Sequence, residues 1–334
     1  MADQIYTNIM QSIDTETLAL RNFWYPTMFS RDLPRDRPVA LTLVDRPLVF
    51  YRPDGGAALA LDDRCPHRSV PLSVGRMVDG RLECRYHGWQ FGADGACTHI
   101  PTLPAEAPRP RASCASAAPT VERDGLVWVW PGDPSRANPE DIVHEPEIGA
   151  GSWSVVDMTH EFDLEHGLMI ENLLDPSHLP FTHEGTLARR GDAAPLEMQL
   201  EERPDGFAGV ARSPRSDLPM GFTFRAPCLV RLDLKVRPGW DFIQLQYSVP
   251  LARGRMRLLS RMVRNWLPWL PDWLTERQSR KILDQDTEML LGQQRRLEQG
   301  ARPWNCPVPA DRIAVAYRQW RGRLGRAEAV ARGA

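Results

Sequence analysis

Two short segments in the first third of the chain each carry one cysteine and one histidine. Cys65-Pro66-His67 comes first, and Cys84-Arg85-Tyr86-His87 follows after sixteen intervening residues. Two thiolates on one iron and two imidazoles on the other form the ligand set of a [2Fe-2S] cluster with a reduction potential between about −150 and +300 mV. The spacing therefore predicts a redox cofactor, a [2Fe-2S] cluster bound by Cys65, His67, Cys84 and His87.

A structural zinc ion is the alternative for the same four residues, because two cysteines and two histidines also make a tetrahedral zinc site. A zinc finger usually pairs cysteine with cysteine and histidine with histidine. Here each segment supplies one residue of each type. This arrangement favours a cluster of two dissimilar irons over zinc.

A second group of potential metal ligands lies at residues 171–183, which read ENLLDPSHLPFTH. His178 follows Asp175 by about one helical turn. The two prolines of the segment prevent a regular helix, so the chain can bend and direct His183 toward His178. Two neutral imidazoles that converge in this way are suited to Fe(II).

A mononuclear iron oxygenase site needs a carboxylate in addition to two histidines. The residues three and four positions from Asp286 are all apolar: Ile282, Leu283, Met289 and Leu290. Asp286 is therefore predicted to be buried, where a lone carboxylate is costly unless it is paired or binds a metal. We predict that Asp286 is the third ligand; a buried salt bridge to an arginine is the alternative.

Composition and charge narrow the class of protein. The chain has 334 residues, 42% of them hydrophobic, and a net charge of −2. This is a globular composition with enough residues for two domains, and it lacks the basic excess of nucleic-acid partners. No apolar stretch approaches the twenty or so residues of a transmembrane segment, and the acidic N-terminus does not resemble a targeting peptide. These features predict a cytoplasmic protein without a transmembrane segment.

The chain divides into segments of different pattern. Residues 1–38 form an N-terminal segment, and residues 39–145 contain short apolar runs separated by Asp-Gly pairs, which are typical of hairpin turns. This pattern predicts a small antiparallel β domain. Residues 146–334 combine strand-like segments with helical patterns at 163–174 and 275–299. The fold class is therefore α+β, with a mainly antiparallel sheet and helices in the second domain.

With both sites identified, the chain resembles the Rieske non-haem iron oxygenases, specifically their terminal oxygenase component. CPHRSVPLSVG and CRYHGWQF resemble the two cluster-binding loops. Three further parts of the chain resemble segments of this family. NLLDPSHLPFTH resembles the iron-binding segment, Asp286 with the later Gln293 resembles the carboxylate helix, and ADRIAVAYRQW resembles the C-terminal helix. The spacing from Asn172 to Asp175 is similar to that of vanillate and dicamba O-demethylases, and ENLLDPSHLPF is similar to pheophorbide a oxygenase.

The resemblance implies a Rieske domain joined to a helix-grip catalytic domain, in a head-to-tail homotrimer. It also implies that the cluster of one subunit faces the mononuclear iron of the next. Asn172 and Asp175 are then expected to be catalytic, with Asp175 bridging His178 and a cluster histidine, His67 or His87, across the interface. A local role remains open for Asp175, because Asp-Pro readily starts a turn.

The function implied is that of an oxygenase that acts on a small organic substrate, cyclic or aromatic, with O2. The reaction is hydroxylation, demethylation or another oxidation, with one or two oxygen atoms incorporated. No Gly-x-Gly-x-x-Gly motif follows a strand, so electrons are expected from a separate reductase or ferredoxin. Two alternatives remain: a Rieske electron carrier, and a scaffold protein without oxygenase activity.

Overall fold

The computed structural model describes residues 18–104, 106–145 and 153–331. These residues form two compact units, one ending at His144 and the other beginning at Glu145. The predicted domain limits at residues 39 and 146 remain predictions.

The first unit consists of short antiparallel strands. Three sheets have the strand orders β1-β11-β10, β2-β3-β4-β9 and β5-β6-β7-β8. The strands are β1 (Tyr25–Phe29), β2 (Val39–Leu43), β3 (Arg46–Tyr51), β4 (Leu59–Asp62), β5 (Arg76–Val78), β6 (Arg81–Glu83), β7 (Gln90–Phe91), β8 (Cys97–His99), β9 (Ala117–Ala118), β10 (Thr120–Arg123) and β11 (Leu126–Val129).

The Asp-Gly pairs differ in the turns that they make. Asp79-Gly80 and Asp124-Gly125 have positive φ at both residues and form two-residue hairpin turns, as the sequence predicts. Asp54-Gly55 and Asp94-Gly95 lie in wider loops, and only the glycine has positive φ. A third tight hairpin in this unit is not predicted by the Asp-Gly pattern, because Val44 and Asp45 adopt positive φ without a glycine.

The second unit is built on one seven-stranded antiparallel sheet of order β12-β18-β17-β16-β15-β14-β13. The strands are β12 (Ser154–Phe162), β13 (Glu197–Arg203), β14 (Gly206–Ser213), β15 (Ser216–Arg225), β16 (Leu229–Arg237), β17 (Trp240–Ala252) and β18 (Arg255–Arg264). The helices are α1 (His166–Leu173), α2 (Leu179–Thr182), α3 (Asp272–Glu298) and α4 (Arg312–Ala331).

The three longer helices pack on the same face of this sheet. Leu283 and Leu290 of α3 join Leu258 of β18 in one buried cluster, which also contains residues of α1. Tyr317 of α4 joins Phe224 of β15 in another. The strand register places these sheet residues on one face. A sheet with helices on one face agrees with the predicted helix-grip domain, and the α+β prediction is confirmed.

Three of the seven strands were not identified in the sequence: β12, β14 and β15. The sequence of β14, GFAGVARS, contains two glycines, and that of β15, SDLPMGFTFR, contains a proline and a glycine. Glycine and proline are both depleted in strands, so local propensity does not predict β14 or β15 as strands. The predicted helices at 163–174 and 275–299 correspond to α1 and α3, and the expected C-terminal helix is α4. No helix among the described residues is both long and apolar enough to span a membrane.

Candidate iron centres

The two Cys-His segments form loops with the same backbone pattern. The amide of Ser69 donates to the carbonyl of Cys65 at 2.8 Å, and the amide of Gly88 donates to the carbonyl of Cys84 at 2.9 Å. Ser69 and Gly88 both have positive φ, at 57° and 71°. The histidine is two residues after the cysteine in the first loop and three in the second. Matching turns therefore present one thiol and one imidazole each.

Within the first unit, the four side chains group by chemical type. The thiols of Cys65 and Cys84 are each 1% exposed and lie side by side. The rings of His67 and His87 lie 4.6 Å apart between centroids. A sulfur pair beside a nitrogen pair fits a cluster in which two thiolates bind one iron and two imidazoles bind the other.

Burial raises the pKa of Cys65 to about 11, and the neighbouring thiol of Cys84 adds to this rise. A thiolate at this position is costly without a counter-charge, which a bound metal supplies. The indole of Trp89 stacks on His67 with 4.6 Å between centroids and 4° between planes. Trp89 therefore fixes the orientation of this imidazole.

The second site begins where α1 ends. Oδ1 of Asp175 accepts hydrogen bonds from the amide of Ser177 at 2.7 Å and from its hydroxyl at 2.5 Å. His178 directly precedes α2, and His183 directly follows it. One short helical turn thus separates the two histidines and lets both imidazoles approach the same point. Pro180 fits in the first turn of α2, where no amide donor is needed.

Helix α3 supplies the carboxylate. Oδ1 of Asp286 lies 3.1 Å from Nε2 of His183 and 3.5 Å from Nε2 of His178. The two Nε2 atoms are 3.2 Å apart. These three residues are a group whose ligand atoms all lie within 4.8 Å of one another. Two imidazoles and one carboxylate in this arrangement fit the ligand set of a mononuclear Fe(II) site with open positions.

The alternative interpretation of Asp286, a buried salt bridge to an arginine, is not observed among the residues that the structure describes. Among the described residues its hydrogen-bond and ion-pair partners are His178, His183 and Asn172, whose Nδ2 donates to Oδ1 at 3.2 Å. Asp286 is 4% exposed, as predicted. Met289 is 53% exposed, so the apolar neighbours do not all face inward. The buried stripe of α3 is Ser279, Leu283, Asp286 and Leu290.

In this site the carboxylates stabilise the charged form of His178, and the histidines stabilise the charged form of Asp286. Burial lowers the pKa of His178, but hydrogen bonds and charge from Asp175 and Asp286 outweigh burial and raise it to about 9. Burial raises the pKa of Asp286, but the two histidines outweigh it and hold the pKa below its usual value. Asp286 is therefore ionised at neutral pH, and a divalent cation bound at this site would supply its counter-charge.

Asp175 caps a turn and also lies beside His178. Its Oδ1 caps the turn at Ser177, and its Oδ2 lies 3.7 Å from Nδ1 of His178. The local interpretation and the proximity to an iron-binding histidine therefore coexist. The structure groups the four cysteine and histidine residues in the first unit, and it groups His178, His183 and Asp286 in the second. The ligand roles of these seven residues remain predictions, as do the catalytic roles of Asn172 and Asp175.

Two residues that contact His183 were not predicted from the sequence. Gln285 contacts the imidazole, and the hydroxyl of Thr186 donates to the backbone carbonyl of His183. Oε1 of Gln285 lies 3.1 Å from Nδ1 of His183 and 2.9 Å from Oγ1 of Thr186. An amide and a hydroxyl carry no metal-ligand signal in a sequence. Gln285 is also 102 residues from His183, so only the fold brings the two together.

Three family models match successive parts of the chain. The Rieske [2Fe-2S] domain matches residues 23–117, the vanillate O-demethylase oxygenase C-terminal domain matches residues 162–219, and pheophorbide a oxygenase matches residues 224–304. The first segment contains the paired Cys-His loops. The second contains both histidines of the second site, and the third contains Asp286. Fold and sites together define a protein with a Rieske-type centre and a separate mononuclear metal site.

Relatives and solved structures agree with this class. Chlorophyllide a oxygenase from Chlamydomonas reinhardtii is 36% identical over 324 residues, covering 90% of this chain and 48% of that protein. Pheophorbide a oxygenase from Arabidopsis thaliana is 32% identical over 352 residues, covering 92% of this chain and 65% of that protein. Dicamba monooxygenase bound to dicamba has the same fold, with a TM-score of 0.82, 24% identity and coverage of 93% of this chain and 99% of that one. The chain is therefore similar to Rieske oxygenases over most of its length, in sequence and in fold.

The match of residues 23–117 to the Rieske [2Fe-2S] domain and the grouping of His178, His183 and Asp286 confirm the predicted cofactors, a [2Fe-2S] Rieske cluster and a mononuclear iron. The domain match also argues against zinc in the paired loops. The chain spans about half to two thirds of the length of the curated relatives it matches.

The predicted cytoplasmic location is wrong. It is contradicted by the chlorophyllide a oxygenase, pheophorbide a oxygenase and TIC 55 relatives, which are chloroplastic proteins. The prediction relied on the composition of the N-terminus and on the lack of an apolar span. Neither property reports the compartment of a protein.

Proposed function

We propose that this protein is a terminal oxygenase that oxidises a small cyclic organic substrate with O2. One observation carries the proposal: Nε2 of His178, Nε2 of His183 and Oδ1 of Asp286 converge within 3.5 Å of one another, in a chain that also has the paired Cys-His loops. An electron carrier needs only the loops. The buried group of two histidines and a carboxylate has a purpose only if a second metal does chemistry.

When bound, the cluster supplies single electrons and the mononuclear iron supplies the activation of dioxygen. His178, His183 and Asp286 would hold that iron through three ligand atoms, which leaves positions open for oxygen. Asn172 donates to Asp286 and orients its carboxylate. Burial of His183 and Asp286, at 1% and 4% exposure, keeps bulk water from the ligand atoms.

The substrate class is supported by the names of the relatives. Chlorophyllide a, pheophorbide a and toluene-4-sulfonate are named as their substrates, and all three are ring compounds. We therefore propose a cyclic or aromatic substrate. Hydroxylation, demethylation and other oxidations remain alternatives, because the cofactor carries the chemistry while the pocket selects the bond.

Electrons are proposed to come from a separate reductase or ferredoxin, since the chain has no glycine-rich dinucleotide motif. We further propose a head-to-tail homotrimer in which Asp175 links His178 to a cluster histidine of the next subunit. The location of Asp175 beside His178 supports the part of this link that lies within one subunit. Size-exclusion chromatography with light scattering tests the trimer.

Oxygen uptake tests the function. The anaerobically purified protein would be supplied with a chemically reduced ferredoxin and a panel of ring compounds, and products would be analysed after reaction under ¹⁸O2. A product that carries ¹⁸O supports the proposal, and the number of labelled atoms distinguishes a monooxygenase from a dioxygenase. A protein that retains all its iron and accepts electrons, but never consumes oxygen with any compound, is instead an electron carrier or a scaffold.

A further inference from the structure

The imidazole of His183 is held at both of its nitrogen atoms by neighbouring residues of one helix. Nε2 lies 3.1 Å from Oδ1 of Asp286, and Nδ1 lies 3.1 Å from Oε1 of Gln285. Both partners are consecutive residues of α3. His183 is 1% exposed, so water does not replace either contact.

The turn that follows His183 also holds the amide of Gln285. Oγ1 of Thr186 lies 2.9 Å from Oε1 of Gln285 and 2.8 Å from the carbonyl oxygen of His183, so its hydroxyl proton is shared between two acceptors. Two helical turns earlier in α3, Nε2 of Gln278 donates to the carbonyl of Thr186 at 3.4 Å. Oε1 of Gln285 therefore contacts both Nδ1 of His183 and Oγ1 of Thr186, and Gln278 anchors the turn that carries Thr186.

The orientation of the Gln285 amide decides which nitrogen of His183 carries the proton. A neutral imidazole binds a metal through an unprotonated nitrogen, so binding through Nε2 requires the proton on Nδ1. The amide oxygen of Gln285 accepts that proton. In the reversed orientation the amide nitrogen would donate to Nδ1, the proton would move to Nε2, and the ligand atom would be blocked.

We propose that Gln285 is the positioning residue of His183 and that its amide oxygen selects the tautomer that binds iron. The two histidines then differ in the group that orients them. Nδ1 of His178 lies 3.7 Å from the charged carboxylate of Asp175, whereas Nδ1 of His183 contacts a neutral amide. This inference rests on the iron site and does not require that the protein oxidise any substrate.

Two substitutions at position 285 separate acceptor chemistry from packing. Gln285→Leu keeps most of the side-chain volume and removes the hydrogen-bond acceptor. Gln285→Glu keeps an acceptor in either orientation of the side chain, because both terminal atoms of a carboxylate are oxygens. Gln293→Leu is the matched control, because Gln293 is an exposed residue of the same helix. Fe(II) affinity of the second site would be measured by anaerobic equilibrium dialysis of protein with its cluster in place. Thermal unfolding followed by circular dichroism monitors folding of the unit that contains Gln285, because the cluster lies in the other unit.

We expect Gln285→Leu to bind Fe(II) about 10- to 100-fold more weakly, and Gln285→Glu to bind at least as tightly as the natural protein. Gln293→Leu should not differ from the natural protein. The electron paramagnetic resonance spectrum of the ferrous site with nitric oxide should shift in Gln285→Glu, because a carboxylate makes the imidazole a stronger donor. A residue that only fills space would tolerate leucine and would leave this spectrum unchanged.

The proposal is overturned if Gln285→Leu binds Fe(II) as tightly as the natural protein, or if Gln285→Glu loses iron. If the leucine variant does not fold, as judged by circular dichroism, the glutamate variant decides alone, through its iron affinity and its spectrum. A natural protein that binds iron but never consumes oxygen would refute the oxygenase proposal and leave this one intact.

Discussion

Asn172 in α1 and Asp286 in α3 are 114 residues apart in the chain, and a hydrogen bond of 3.2 Å joins Nδ2 of the first to Oδ1 of the second. The helix that leads into the two histidines is thereby connected to the helix that carries the carboxylate. Because Oδ1 is also the atom nearest both imidazoles, Asn172 holds it toward the point where the ligands converge.

Replacement of Asn172 by leucine should weaken iron binding at this site. The substitution removes the donor to a buried carboxylate, and such supporting hydrogen bonds are typically worth about 10- to 100-fold in metal affinity. Competition with a ferrous chelator would measure the effect. Asn305→Leu, at an exposed position, should bind iron like the natural protein, and equal affinities in both variants would show that Asn172 does not support the site.

Asp286→Asn should remove the mononuclear iron and leave the cluster. The amide cannot supply the negative charge that the Fe(II) ligand set needs. Total iron and acid-labile sulfide per subunit would be determined after anaerobic reconstitution. Asp284→Asn is the control, two residues away on an exposed part of α3. Retention of the full iron content in Asp286→Asn would exclude this carboxylate as a ligand.

Asp175→Asn should retain both metals and slow electron delivery by about 10-fold or more. The asparagine oxygen still caps the turn at Ser177, but the charge 3.7 Å from Nδ1 of His178 is lost. A single-turnover reaction of fully reduced protein, compared with steady-state turnover, measures the transfer. Natural rates in both assays would refute the bridging role of Asp175.

The first unit should lose stability in acid through Glu122. Hydrogen bonds from Arg52, at 2.7 and 2.8 Å, hold the pKa of Glu122 at about 2 in the folded state. Its usual pKa is about 4.3. The stabilisation is therefore complete above the unfolded-state pKa and disappears as pH falls toward 2.

Glu122→Gln should accordingly lower the free energy of unfolding by about 2 kcal/mol at pH 7, and the difference from the natural protein should shrink below pH 4. Urea unfolding of both proteins across this pH range measures it. Asp32→Asn, in an exposed pair with Arg31, should change stability by less than about 0.5 kcal/mol. A pH-independent difference for Glu122→Gln would contradict the assigned pKa.

The candidate ligands were predictable because their chemistry is visible in residue type and spacing. Cysteine and histidine are scarce, so the paired segments stand out, and Asp286 interrupts an apolar pattern. Its burial followed from local periodicity, although Met289 shows that four apolar neighbours do not all face inward. The α+β class followed from strand and helix patterns without any knowledge of their arrangement.

The remaining features depend on contacts between distant segments. Gln285 is an ordinary polar residue until the fold brings it to His183 and Thr186. The hairpin at Val44 and Asp45 lacks glycine, so the strands on either side, rather than the local sequence, enforce its positive φ. The cellular compartment was predicted wrongly, because the lack of an apolar span and of a targeting pattern in this sequence does not by itself identify a compartment.

The central claim is that one chain holds two different iron centres, and Mössbauer spectroscopy of protein reconstituted anaerobically with ⁵⁷Fe tests it most directly. We predict signals of a [2Fe-2S] cluster with unequal irons and of a separate high-spin ferrous ion, in a ratio of about two irons to one. A spectrum with the cluster signals alone, from protein incubated with excess Fe(II), would contradict the claim.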